Sequence, residues 1–123
     1  MSIYVRAQNE EWTFVIDCGN STMWVSTDYK VKDNGNYLIK RKNLFPQYDS
    51  YWIDEWEISS DLKYYRVLNI TRYEKGEIKE YSEYKPDRFH PGGAGDWKEI
   101  KFKYSPQGDI DKAFIKIIQS KKK

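Results

Sequence analysis

Histidine and cysteine are almost absent. The chain has one of each, His90 and Cys18, in 123 residues. One cysteine excludes an intramolecular disulfide and any cysteine-based zinc site. One histidine excludes a histidine metal cluster, and a catalytic triad would need a nucleophile brought to it by the fold. No metal and no cofactor is expected. No apolar run approaches the roughly 20 residues of a membrane helix, so no membrane span is expected. Met1 to Asn9 lacks the hydrophobic segment of a signal peptide, which leaves either a cytoplasmic protein or a mature segment with a replaced start. A strong charge of one sign is also missing. The 21 basic and 19 acidic residues give +2, without the basic footprint that nucleic acid requires. The only sustained basic run, Lys121-Lys122-Lys123, reads as a frayed tail spanning 119–123.

Aromatic residues are abundant, at 17% with 11 Tyr and 5 Trp, which suits a sheet because large rings pack on a pleated surface. Core and cross-strand packing accounts for most of them; an exposed aromatic binding face is the functional alternative. The chain length fits one domain, 1–123, with 1–10 as a tail or short first strand.

The strongest stretch is Leu62 to Tyr84, a hairpin of two long strands joined at Glu74-Lys75-Gly76-Glu77. Period-two alternation puts Tyr64, Arg66, Leu68, Ile70 and Arg72 on one face and Tyr65, Val67, Asn69, Thr71 and Tyr73 on the other. A helix over Leu62 to Arg72 is the competing assignment. In the return strand, Ile78, Glu80, Ser82 and Tyr84 oppose Lys79, Tyr81 and Glu83, and its polarity places it near a sheet edge. Before the hairpin, Glu11–Asp17 and Met23–Ser26 read as strands. In the first, Trp12, Phe14 and Ile16 share one face. Tyr29–Lys32 and Tyr37–Lys42 flank Asp33-Asn34-Gly35-Asn36, where Asn-Gly predicts a type I′ turn. Asn43–Tyr51 reads as a loop around Pro46, and Trp52–Ser59 as a strand. Beyond the hairpin, Lys85–Asp96 is irregular because proline and glycine cluster there, and Trp97–Tyr104 is a strand. Ile110, Ala113, Phe114, Ile117 and Ile118 then form an apolar helical stripe, with Asp109 as N-cap and Pro106 and Gly108 outside. The sheet is the only large partner for that stripe. The fold class is α+β, mainly β: a curved antiparallel sheet with a C-terminal helix packed on one face. Leu68 and Ile70 are expected to meet Phe114.

The order of motifs carries a resemblance. Trp12 opens a strand, and Met23-Trp24-Val25-Ser26-Thr27-Asp28 precedes the hairpin Tyr29 to Lys42. Tyr64-Tyr65-Arg66-Val67-Leu68 runs to Tyr73-Glu74-Lys75-Gly76. Trp97 and Ile100 precede Tyr104-Ser105-Pro106 and the helix. From about Trp12 to Ile118 this resembles the surface-adhesin protein E family of small bacterial envelope proteins. The resemblance implies a bent antiparallel sheet with the helix across its concave face, and an exported, adhesin-like module that binds host proteins. In the named adhesin a disulfide pins the helix. Cys18 alone cannot do that, so docking here must rest on Ile110, Phe114 and Ile117. Lipidation and adhesion have no matching residues to carry them.

Candidate sites are weighed against plainer accounts. His90, in Arg88-Phe89-His90-Pro91-Gly92-Gly93, reads as a solvated loop residue. Gly92-Gly93-Ala94-Gly95 lacks the pattern of a phosphate loop and reads as a flexible connection. Asp54, Glu55 and Glu57 offer carboxylates beside Trp52 and Trp56, for glycoside chemistry or sugar binding, but read more simply as residues of a solvated strand. Cys18 reads as a buried or inert thiol. Asn20-Ser21-Thr22 and Asn69-Ile70-Thr71 match the glycosylation pattern, the second in mid-strand. Arg66 and Arg72 are not expected in a site. The expectation is a non-enzymatic envelope or secreted binding module with no catalytic residues. Its partner is a protein, met through sheet edges or through the loops Asn43–Tyr51 and Lys85–Asp96. An exposed edge also admits a homodimer. The alternatives are a small-ligand domain with a pocket between helix and sheet, and an intracellular inhibitor or immunity-type protein.

Overall fold

The computed structural model describes residues 11–85, 93, 95–101 and 106–121. The expected first strand or tail in 1–10, His90, Gly92, Ala94, Phe102, Tyr104 and the last two lysines lie outside the described residues. Among the described residues, eight strands form one antiparallel sheet. They are β1 (Trp12–Asp17), β2 (Thr22–Ser26), β3 (Lys30–Val31), β4 (Tyr37–Phe45), β5 (Ser50–Ile58), β6 (Tyr64–Glu74), β7 (Glu77–Glu83) and β8 (Lys98–Glu99). The order is β1-β2-β4-β5-β6-β7, with β3 beside β4 and β8 beside β6. The sheet curls into a half-barrel and carries the C-terminal helix α1 (Pro106–Lys121).

The central hairpin forms as its sequence dictates. Lys75 (φ 51°) and Gly76 (φ 78°) both take the left-handed region, the signature of a type I′ turn. β7 lies at the sheet edge. The Asn34-Gly35 turn differs from expectation. Only Gly35 has a positive φ, at 88°. Gly35 N–H donates to the Lys32 carbonyl at 2.9 Å, and Lys32 N–H to Asn36 at 2.8 Å. This is a three-residue loop closed by a left-handed glycine, which leaves Asn34 unstrained. β4 and β5 are longer than expected. The loop placed at Asn43–Tyr51 shrinks to a 3-10 turn at Pro46–Tyr48 and Asp49, because nine consecutive pairs zip the two strands together.

Three bulges change which side chains share a face. They fall between Phe14 and Ile16, opposite Glu55 and Trp56 at Leu68, and between Arg72 and Tyr73. An extra residue on one strand shifts the alternation beyond it. Tyr65 and Val67, not Leu68 and Ile70, pack into the core beneath α1; Leu68 is the bulge residue, and beyond it Ile70, opposite Asp54, comes onto the inner face outside the core cluster. Ile16 turns from Phe14's face to pair with Met23, and Ile78 joins the face of Tyr73.

The helix also departs from expectation at both ends. It begins at Pro106, so Asp109 lies within the first turn rather than at the cap, and Gly108 is helical. Proline suits a first helical position, where its missing N–H would have no intrahelical partner. Its end at Lys121 makes 119–121 helical rather than frayed. Ile110, Phe114 and Ile118 are buried, while Ile117 is half-buried. They pack on Val25, Ile39, Trp56 and Ile58. The Phe114 ring meets the Trp56 indole edge-on at 5.0 Å, and Trp56 stacks on Tyr65 at 4.7 Å. The expected strand Trp97–Tyr104 reduces to β8 within the described residues, and Ile100 joins the core. Gly95 is no flexible spacer. It is buried, and a Cβ there would lie 2.6 Å from the Lys85 backbone, so only glycine fits.

Phe114→Ala removes the ring that closes the core over Trp56. It is expected to lower the unfolding free energy by about 3–5 kcal/mol in urea titration. Substitution of the half-exposed Phe14 by alanine should lower it by less than half as much.

Candidate functional site

The pairing register places one outward side chain from each long strand in a row across the face opposite α1. The row Phe14–Trp24–Lys42–Ile53–Thr71–Tyr81 runs from the β1 edge to the β7 edge. Next to it runs Asp17–Thr22–Leu44–Tyr51–Tyr73–Ile78. These two rows form a band, and among its described residues the charged ones are Lys42, near its middle, and Asp17, at the β1 edge. No described element packs across it, and Phe14, Ile78 and Tyr81 are half or more exposed. Lys42 lies within the aromatic surface, its ammonium 4.7 Å from the Tyr51 ring centre and 5.5 Å from that of Trp12. Phe14 sets its edge against Trp24 at 5.2 Å.

Tyr51 stacks on Tyr73, with centroids 4.7 Å apart and planes 14° from parallel. Lys42 lies over Tyr51 from β4, while Tyr73 comes from β6 on the other side of β5. The Tyr51 ring thus has a neighbour within the band over each face. A sugar stacks on an open ring face, which Tyr51 does not offer. A side chain inserted between ring edges meets no such obstacle.

Beyond the first row lie Trp12, Ser26, Lys40, Glu55, Asn69 and Glu83, mostly polar. Asn69 donates to Glu55 at 3.2 Å, and the Tyr81 hydroxyl donates to Glu83 at 3.0 Å. That hydrogen bond holds the Tyr81 phenol above its ordinary range. Where the chain leaves β2 to form β3, Ser26 bridges the opening in the sheet. Its hydroxyl accepts from Lys40 N–H at 3.1 Å and donates to the Asp28 carbonyl at 2.9 Å. An open cleft of about 480 Å³ lies there, lined among others by Glu11, Asp28, Lys30, Lys40 and Glu55.

The carboxylates considered from sequence are not on a solvated strand. Asp54 and Glu57 are each 1% exposed. Asp54 lies on the inner face, bound to Arg41 and to the Trp56 indole N–H at 3.0 Å. Glu57 lies on the outer face beneath three donors: Lys32 at 3.0 Å, Asn36 at 2.8 Å and Arg66 at 2.8 Å. Side-chain alternation along β5 puts the two on opposite faces of the sheet, so they cannot act as a catalytic pair. Burial pushes the Glu57 carboxyl up, but the three hydrogen bonds and the Arg66 charge outweigh it and bring it down to about 2. Both Arg66 and Arg72 have structural roles. Arg66 holds Glu57 and lies over Trp97, and Arg72 pairs with Glu74 and Glu80 over Trp52. Cys18 is exposed rather than buried, in the β1–β2 turn. Asn20 is exposed, and Asn69 is committed to Glu55. The space between helix and sheet is filled by Ile110, Phe114 and Ile118, and the cleft lies elsewhere. Among the described residues no three His, Cys, Asp or Glu side chains group as metal ligands, and no helix is long and apolar enough to cross a membrane.

Sequence reasoning missed the band. Trp24, Tyr51, Tyr73 and Tyr81 were visible as ring-bearing strand positions, but their alignment depends on the register between strands. No family model, curated protein or solved structure matches the chain.

Glu57 has a pH signature. Its folded-state value, about 2, lies below its ordinary value of 4.5. Its contribution is therefore fully present above 4.5 and is lost as the pH falls toward 2. Glu57→Gln is expected to remove on the order of 3 kcal/mol at neutral pH. It should also flatten the stability profile through that acid window, as read by chemical denaturation at a series of pH values.

Proposed function

We propose that this chain is a non-catalytic, adhesin-like binding module that recognises a partner protein through the outer aromatic band. The observation that carries the reading is the pair of adjacent rows, mostly aromatic and aliphatic, with two threonines and with Lys42 and the edge residue Asp17 as their charged members, running from edge to edge on a sheet face no described element covers. Protein interfaces have this anatomy: a core of aromatic residues, few charges at its centre, and a polar rim. The row holding Lys40, Glu55, Asn69 and Glu83 supplies such a rim on one side. The Tyr51 ring, with Lys42 and Tyr73 over its faces, favours a protein over a glycan. A folded scaffold supports the band from below, because its backbone lies in paired strands.

Export to the bacterial envelope belongs to this proposal and rests on the order of motifs from Trp12 to Ile118. The reading is of an extracytoplasmic binder, with an inhibitor or immunity-type protein of the cytosol as its rival.

Two measurements test this. A photo-crosslinking amino acid at Phe14 or Tyr81, in bacteria producing the natural reading frame, is expected to give a discrete protein adduct. The same group at Lys116, on the exposed side of α1, should give none. Binding to a glycan array with no protein adduct would overturn the partner class. Fractionation of the same cells should find the chain outside the cytosol; recovery in the cytosol would favour the rival.

A further inference from the structure

We draw no further inference here: the strongest candidate, the open cleft where the chain passes from β2 to β3, is lined by charges of both signs, with Ser26 spent on the strands it bridges and Glu55 already bound to Asn69, and nothing in the structure shows what would fill it.

Discussion

Burial of the Trp56 indole is the constraint on which the rest of the structure depends. The ring is 1% exposed at the centre of the inner face, and it is satisfied from several directions. Asp54 accepts its N–H, Tyr65 stacks on it, Phe114 of α1 closes over it edge-on, and Arg41 lies 5.3 Å from its centre. A buried indole N–H needs an acceptor, and that acceptor is a carboxylate that needs its own cation. One tryptophan thus fixes the pairing of β4, β5 and β6 and the placement of the helix. No disulfide assists, since the chain has one cysteine, so the apolar stripe of α1 must supply the docking energy. Fully burying a large apolar side chain contributes about 1.5–3 kcal/mol, and Ile110, Phe114 and Ile118 are all buried.

Once the inner face is fixed, the outer face follows from the pleat. Each residue beside an inward one points outward, and the register aligns these across strands. Both faces are anchored by ionic groups. Asp54 with Arg41 sits on the inner face, and Glu57 with Lys32, Asn36 and Arg66 on the outer. The second cluster ties the β3–β4 loop and β6 onto β5 at one end of the outer face and leaves the aromatic rows to the other end. A buried carboxylate so fully hydrogen-bonded is a structural clamp rather than a proton donor near neutral pH.

Much of the fold was legible. Alternation marked β5, β6 and β7, glycine chemistry marked the Lys75-Gly76 turn, and the period of Ile110, Phe114 and Ile118 marked the helix. These signals are local, and local periodicity survives in sequence. The errors of facing share one cause. A bulge is one extra residue in a ladder, and nothing at Val15, Leu68 or Lys79 announces it. Unbroken alternation therefore grouped Ile70 with Arg66 and Leu68 rather than with Tyr65 and Val67, and Ile78 with Glu80 rather than with Tyr81. Glu57 was read as solvated because its covering groups come from positions 32, 36 and 66, which only the folded chain brings together.

The sequence by itself determined the class: a single aromatic-rich antiparallel sheet, a C-terminal helix with one apolar stripe, and no disulfide to join them. Each follows from residue type and spacing along the chain. The tertiary structure alone decided which rings are core and which form the outer band. Facing depends on strand order, register and three bulges, all of them relations between residues far apart in sequence. The aromatic rings, conspicuous as a count, became a candidate surface only when the pairing of six strands set Phe14, Trp24, Tyr51, Tyr73 and Tyr81 on one face.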